Sequence, residues 1–509
     1  MAAVAVSIAA LTLASPAVAQ DFEPGATSLN DPLFPQIGNG GYDALDYEID
    51  LRYDPDSNRL GAGTRATMTA TATQGLSRFT LDFQPDLRVA SATVDGAPAQ
   101  FDQADAQPRF SSNPKVTQPG KLTVTPPAGI PDGQLFTVEI AYSGRPQPIV
   151  DADESIEGWV RACAEPGDCD GSFTVNEPIG AQSWFPSNNY ATDKATFSTR
   201  ITVPRSHLAL GVGELESRAQ NGDGTETWTW VEDDPTATYL TSATVGLFDF
   251  EVGMMTEATT GAALAIYDAV DSAGSPKRKD EIGRIVGRAP SMLNFLSKRL
   301  GPYPFDSIGS VADWVPAVGY ALENQTKPHY AGDEDGPFVS RDEQLHEISH
   351  QWLGNSVSAR RWTDIWFNEG WATFFEVYFA GKAKNARQSP QQFFRAVYAA
   401  DAADFVLAPA VLDGDPANLF NGFAVYDRPA AMLEGYREIV GNRRFFALAF
   451  ETAQGPSAYG TIGAKAFVRD AKRASGLEGR DLRRLGAYFG QWLFREGRPS
   501  LTPADFGGR

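Results

Sequence analysis

The sequence predicts a multidomain chain: an antiparallel β-sandwich followed by a mainly helical α/β domain. Two observations predict it. From about Tyr42 to Phe250 apolar and polar residues alternate with period two, and from about Ala263 onward helical spacing takes over. The length, 509 residues, suggests two to four domains and ample core. A boundary near Gly253–Thr260 divides the chain into a sandwich over 20–256 and a second domain over 257–509, which ends in a short helical segment.

Residues 1–19 resemble a signal peptide. Ala2–Ala14 is apolar but too short for a permanent bilayer anchor, and Ala17-Val18-Ala19 is a small-x-small pattern with the cut placed before Gln20. The basic start of such a leader is missing, since no Lys or Arg precedes Arg52. The implied location is secreted or periplasmic. No other run is long and apolar enough to span a membrane. In the sandwich, Leu45, Tyr47, Ile49, Leu51 and Tyr53 alternate with polar residues, as do Phe79, Leu81 and Phe83, and Asp95-Gly96 is a turn signal. Cys163 and Cys169, the only cysteines, flank a turn-rich loop and read as a disulfide. Closing so small a loop would stabilise the fold by about 2 kcal/mol in the chain-entropy model. The second domain shows one strand-like stretch, Ile308–Val315. Its helical segments are Lys279–Leu300, Asp342–Leu353, Glu369–Lys382, Pro390–Phe405 and Ile462–Leu493.

A hydrophobic content of 42% and a charged content of 21% are ordinary for a globular protein. The net charge of −21 argues against nucleic acid and anionic membranes as partners. Two of the four histidines fall in His346-Glu347-Ile348-Ser349-His350. Residues four apart on a helix point the same way, so the two imidazoles can meet one metal ion, with the Glu347 carboxylate beside it. A catalytic zinc needs a third protein ligand and one open position. Glu369 in Asn368-Glu369-Gly370 follows His350 by 19 residues, enough for a loop and a returning helix. One zinc per chain, held by His346, His350 and Glu369 with Glu347 as base, is the expectation. Leu345, Ile348, Trp352 and Leu353 give the first of these helices its apolar stripe, and Gly354 is its stop signal.

The zinc motif together with five other stretches resembles the gluzincin aminopeptidases of the aminopeptidase N type. Tyr320-Ala321-Leu322-Glu323-Asn324 is similar to the family's Gly-Ala-Met-Glu-Asn signature. Asn176-Glu177-Pro178, Trp184-Phe185-Pro186 and Asp193-Lys194-Ala195-Thr196-Phe197 resemble the segment that brings a second acidic residue to the substrate amine. Tyr426, before Asp427-Arg428, matches the family's catalytic tyrosine. The resemblance implies a thermolysin-like catalytic domain and removal of N-terminal residues from peptides with a free N-terminus. It implies that Glu323 and Glu177 bind the α-amino group, that Ala321 lies along the substrate, and that Tyr426 bonds the oxyanion, with Tyr436 as its rival. Glu376 either orients a ligand histidine or is an ordinary surface glutamate. His207 and His329 receive no role.

Three departures stand out. Tyr320 replaces the signature's glycine, Leu322 its methionine, and Pro429 the glycine that follows the basic residue. The sequence after Arg498-Pro499 is short beside the larger relatives, which suggests a more open site. The main alternative is a secreted zinc endopeptidase of the same helix geometry, which would not need Glu323 and Glu177. A non-enzymatic binding protein and an epoxide hydrolase side activity are weaker alternatives.

Overall fold

The computed structural model describes residues 21–507 apart from 106–110, 112, 166–167, 334–335, 338 and 383–387. The expected leader, 1–19, lies outside the described residues. The first domain is built from sheets of nine, five and four strands. Tyr42–Asp54 is the long central strand of the largest, antiparallel to Arg65–Ala72. Its alternation buries Tyr47, Ile49, Leu51 and Tyr53, but Leu45 is 41% exposed. A register shift between Ala44 and Asp46 inserts one residue and flips the parity, so Tyr42 and Ala44 face the core in its place. Asp95 and Gly96 both have positive φ, 50° and 77°, and turn Leu87–Val94 into Ala97–Pro98. One long pairing is not antiparallel: Ala195–Pro204 runs parallel to Tyr42–Asp54. A long excursion separates these two strands, so no hairpin sets their relative direction.

Aromatic rings fill the space between the sheets. Tyr47 stacks on Phe197 and meets Phe185 edge-on, while Trp159 sits between Tyr53 and Trp184. Each such side chain removed from water contributes about 1.5–3 kcal/mol. The hairpin Ile156–Glu165/Asp168–Val175 carries the expected disulfide, Cys163–Cys169.

The second domain opens on a mixed sheet in the order Phe248–Thr256, Ala263–Asp271, Ser307–Trp314, His329–Asp333, Ala321–Leu322. Phe248–Thr256 falls on the sandwich side of the expected boundary, yet it pairs along its whole length with Ala263–Asp271. Period two marks a strand but not the sheet it joins. Helices α1 (Pro276–Val286) and α2 (Ala289–Leu300) form the crossover between the parallel strands Ala263–Asp271 and Ser307–Trp314. One helix is expected there; two form, because Pro290 lacks an N–H and fits only a first turn.

Helix α3 (Arg341–His350) starts in a reciprocal cap, with Ser340 accepting from the Glu343 N–H and Glu343 accepting from the Ser340 N–H. Helix α4 (Trp366–Ala380) buries Trp366, Phe367, Trp371, Phe374 and Phe375 on several faces, so it runs through the core. Helix α5 (Pro390–Tyr398) is shorter than expected and passes into a 3₁₀ turn at Ala402–Val406. Helices α6 (Arg428–Val440) and α7 (Asn442–Gln454) were not foreseen from the sequence. The stretch expected as one C-terminal helix is α8 (Ala464–Ala474) and α9 (Gly479–Phe494), parted where Gly476 and Gly479 take positive φ.

Buried polar contacts join the domains. Lys194 donates to the Asn355 and Ser356 carbonyls just after α3. The Tyr239 hydroxyl donates to the Gly354 carbonyl at 3.2 Å and accepts from the Asn368 amide at 3.3 Å. His329 is fully buried; its Nδ1–H donates to the Lys327 carbonyl (2.7 Å) and its Nε2 accepts from Thr244 Oγ1 (2.9 Å). Burial lowers this imidazole from its usual 6.5 to about 3. The unfolded chain therefore takes up a proton on acidification before the folded one does. The resulting stability is complete above about pH 6.5 and is lost as pH falls toward 3. In urea denaturation, His329→Gln should remove on the order of 5 kcal/mol of pH dependence across that window, relative to the parent protein.

Candidate metal centre and substrate cleft

Helices α3 and α4 lie side by side in opposite senses. His346 meets Glu369 and, two turns further along α4, Glu376. His346 Nε2 lies 3.2 Å and His350 Nε2 3.4 Å from the same oxygen, Glu369 Oε2. A tetrahedral ion with bonds of about 2.0–2.1 Å spaces its donors by about 3.3 Å. The two nitrogen-to-oxygen separations thus match what such an ion requires, and the three donor atoms all lie within 4.8 Å of one another. The other ring nitrogens face acceptors, His346 Nδ1 toward Glu376 Oε2 and His350 Nδ1 toward the Leu353 carbonyl, each at 3.4 Å. Protons on Nδ1 leave the Nε2 lone pairs turned inward. Two neutral imidazoles and a carboxylate are a donor set that suits zinc.

Gly354 makes this placement possible. Its φ is +152°, and a Cβ there would stand 2.7 Å from His350 Nδ1. Burial opposes charge on Glu369, but His350 and His346, in their protonated forms, bring it down to about 2. Burial pushes Glu347 up to about 8 against the pull of the same two imidazoles.

The centre opens into a cavity of about 540 Å³, and Glu177, Ala321, Glu323, His346, Glu347, His350, Glu369 and Tyr426 all line it. Every residue given a site role by the sequence therefore reaches one cavity. Glu177 is 7% exposed and Glu323 3%, and each keeps one carboxylate oxygen buried without a hydrogen-bond partner. Ligand-type oxygens of Glu177, Glu323 and Glu369 lie within 4.8 Å of one another. Burial, then the neighbouring Glu323 and Glu369, hold Glu177 well above the usual carboxylate range.

Two asparagines bring Glu177 and Glu323 together from opposite domains. The side-chain amides of Asn176 and Asn324 both donate to the Thr241 carbonyl, at 2.6 and 2.9 Å. Gln351 and Asn355, beyond α3, donate to the Glu323 carbonyl at 3.1 and 2.7 Å and lock its strand to the histidine helix. None of these partners was foreseen, although each asparagine stands beside its glutamate in the sequence.

Tyr426 lies on a π-helical turn, Gly422–Asp427, that enters α6, and its ring stacks on His346 with centroids 6.1 Å apart. Its rival Tyr436 is fully buried in the helical core and donates its hydroxyl to the Ala471 carbonyl at 2.7 Å, away from the cavity. Pro429 does not displace Tyr426. It packs against Gly370, where a Cβ would come within 2.6 Å of it, and so seats α6 on α4. Arg428 serves the scaffold, donating to the carbonyls of Leu407, Gln491 and Arg495. Tyr320 bridges the domains at the cavity wall, its hydroxyl on the Ile156 carbonyl at 2.9 Å. Asp153, Ser155, Glu343 and Phe420 also line the cavity, and no motif in the sequence marks them.

A sandwich joined to a helical domain at such a centre has solved counterparts. An M1 zinc metallopeptidase from Deinococcus radiodurans has this fold with a TM-score of 0.75 at 24% identity, over 92% of this chain and 97% of that one. A mutant of the Deinococcus enzyme bound to a Tyr-Ser-Ala substrate gives a TM-score of 0.74 at 23% identity, over 92% and 98%. Residues 44–240 match the model of the peptidase M1 N-terminal domain, and residues 343–484 match that of the peptidase family M1 domain. The chain belongs to peptidase family M1. Aminopeptidase M1 of Arabidopsis thaliana is 25% identical over 65% of the chain, and glutamyl aminopeptidase of Bos taurus 28% over 40%. The chain spans only 37% of the first and 21% of the second.

Gly354→Ala should lower zinc affinity about tenfold or more by tilting the His350 ring. Competition against a chromophoric chelator measures it, and unchanged affinity would show that the ring does not need this space.

Proposed function

We propose that the protein is a zinc-dependent aminopeptidase that removes the N-terminal residue of peptides, with one zinc per chain on His346, His350 and Glu369. One observation carries the reading: two buried carboxylate oxygens without partners, on Glu177 and Glu323, stand beside the three-donor centre. Burying a carboxylate without a partner is costly, and an ammonium group supplies both charge and donors. The relatives named as aminopeptidases, and the peptide-bound Deinococcus structure, support the same reading.

When bound, zinc supplies a Lewis acid that polarises the scissile carbonyl and acidifies water. Glu177 and Glu323 hold the α-ammonium, which fixes the first peptide bond at the centre. Ala321, on the edge strand Ala321–Leu322, lies along the cavity where an extended peptide can pair. Glu347 accepts a proton from the attacking water as the new C–O bond forms. The Tyr426 hydroxyl donates to the oxyanion. Glu347 then delivers its proton to the leaving nitrogen as the C–N bond breaks, releasing an amino acid and a peptide shorter by one residue. Glu376 holds the His346 ring through Nδ1. A secreted or periplasmic location belongs to the same reading; the apolar leader pattern and the Cys163–Cys169 disulfide, a bond typical of oxidising compartments, support it.

Glu347→Gln should retain one zinc by elemental analysis and lose about 10²-fold or more in kcat. Near-normal turnover by the loaded variant would assign the base elsewhere. N-acetylation of a peptide substrate removes the charge that Glu177 and Glu323 bind and should abolish cleavage, followed by mass spectrometry of the products. Efficient internal cleavage of the acetylated peptide would make the protein an endopeptidase on the same centre.

A further inference from the structure

The cavity carries more carboxylate than the chemistry above uses. Glu369 and Glu347 answer the metal, and Glu177 and Glu323 answer the α-ammonium. Glu376 is engaged by His346, and Glu343 caps α3 through the Ser340 N–H. The carboxylate left over is on the first domain's loop 151–157. Asp153 lines the cavity, is exposed, accepts only from the Ser155 N–H, and makes no ion pair among the described residues. Its neighbour Glu154 points to Lys115 and is spent there. On the same loop, both oxygens of Asp151 (1% exposed) and one of Glu157 (0%) are buried without partners.

Tyr320, pinned through its hydroxyl to the Ile156 carbonyl of this loop, lines the cavity together with Glu177, Asp153 and Phe420. No Lys or Arg lines the cavity among the described residues. Resting on the aminopeptidase reading, we propose that the subsite for the side chain of the N-terminal residue takes a cation, so that peptides beginning with arginine or lysine are preferred. The aliphatic stem lies along the rings of Tyr320 and Phe420, and the charged head meets Asp153. A neutral side chain in this place shields Asp153 from water and offers it no charge. An N-terminal glutamate meets repulsion from the same group.

The test uses L-argininamide and its uncharged isostere L-citrullinamide. Binding to zinc-loaded Glu347→Gln protein is read by calorimetry, and turnover of arginyl, citrullyl, leucyl and alanyl reporter amides by the parent enzyme is read alongside. The expected arginine-to-citrulline ratio is about tenfold or more in both readouts. It should fall to within about threefold of unity in Asp153→Asn and persist in Asp153→Glu. Equal handling of arginine and citrulline, or a ratio that Asp153→Asn leaves in place, overturns the proposal. If no reporter amide is cleaved, the aminopeptidase reading fails, while the binding ratio still decides the subsite.

Discussion

Four buried carboxylates, Glu177, Glu323, Glu347 and Glu369, share one cavity that no lysine or arginine lines among the described residues. Like charges about 5 Å apart repel by about 3 kcal/mol even at an effective dielectric of about 20. A core does not gather such a cluster for stability. Protonation relieves part of the repulsion, as the raised Glu177 and Glu347 show, and entering cations relieve the rest; the positions of the groups divide that demand in two. One part is met where two imidazole nitrogens converge on a Glu369 oxygen. The other is met where Glu177 and Glu323 leave oxygens unsatisfied. Metal and ammonium are thus complementary answers to one electrostatic problem.

The rest of the molecule holds this cluster against its own repulsion. The aromatic helix α4 fixes Glu369 from below, packed through Trp366 and Trp371 on Phe467 and Phe445. The reciprocal cap at Ser340 and the turn at Gly354 bound the histidine helix at its two ends. Lys194 and Tyr239 reach from the sandwich to the segment just after that helix, so the first domain is part of the site's scaffold as well as a source of Glu177.

Much of this was legible in the sequence, for reasons specific to each part. His346, Glu347, His350 and Glu369 are legible because helical spacing turns sequence distance directly into direction. Glu323, Glu177 and Tyr426 came from resemblance, since each arrives from a different segment and no periodicity connects them. The sandwich was legible from alternation, but alternation failed at Leu45, where one inserted residue reversed the faces, and at Phe248–Thr256, where it did not say which sheet the strand joins. Helix α6 escaped because it is buried almost throughout, which blurs an amphipathic stripe, whereas α7 buries Phe445, Leu448, Ala449 and Thr452 at helical spacing. Asp153 and the Thr241 carbonyl escaped because neither a loop carboxylate nor a backbone acceptor leaves a pattern in sequence.

The Thr241 carbonyl gives the site a property of its own. Through Asn176 and Asn324 it joins the two acidic residues, one from each domain, at a single atom. The part of the cavity that Glu177 and Glu323 line is therefore a seam between two separately built bodies, and in the proposed function the distance it gauges is one amino-acid residue. The ruler that counts that residue belongs to neither domain, and its calibration is the fit of one against the other.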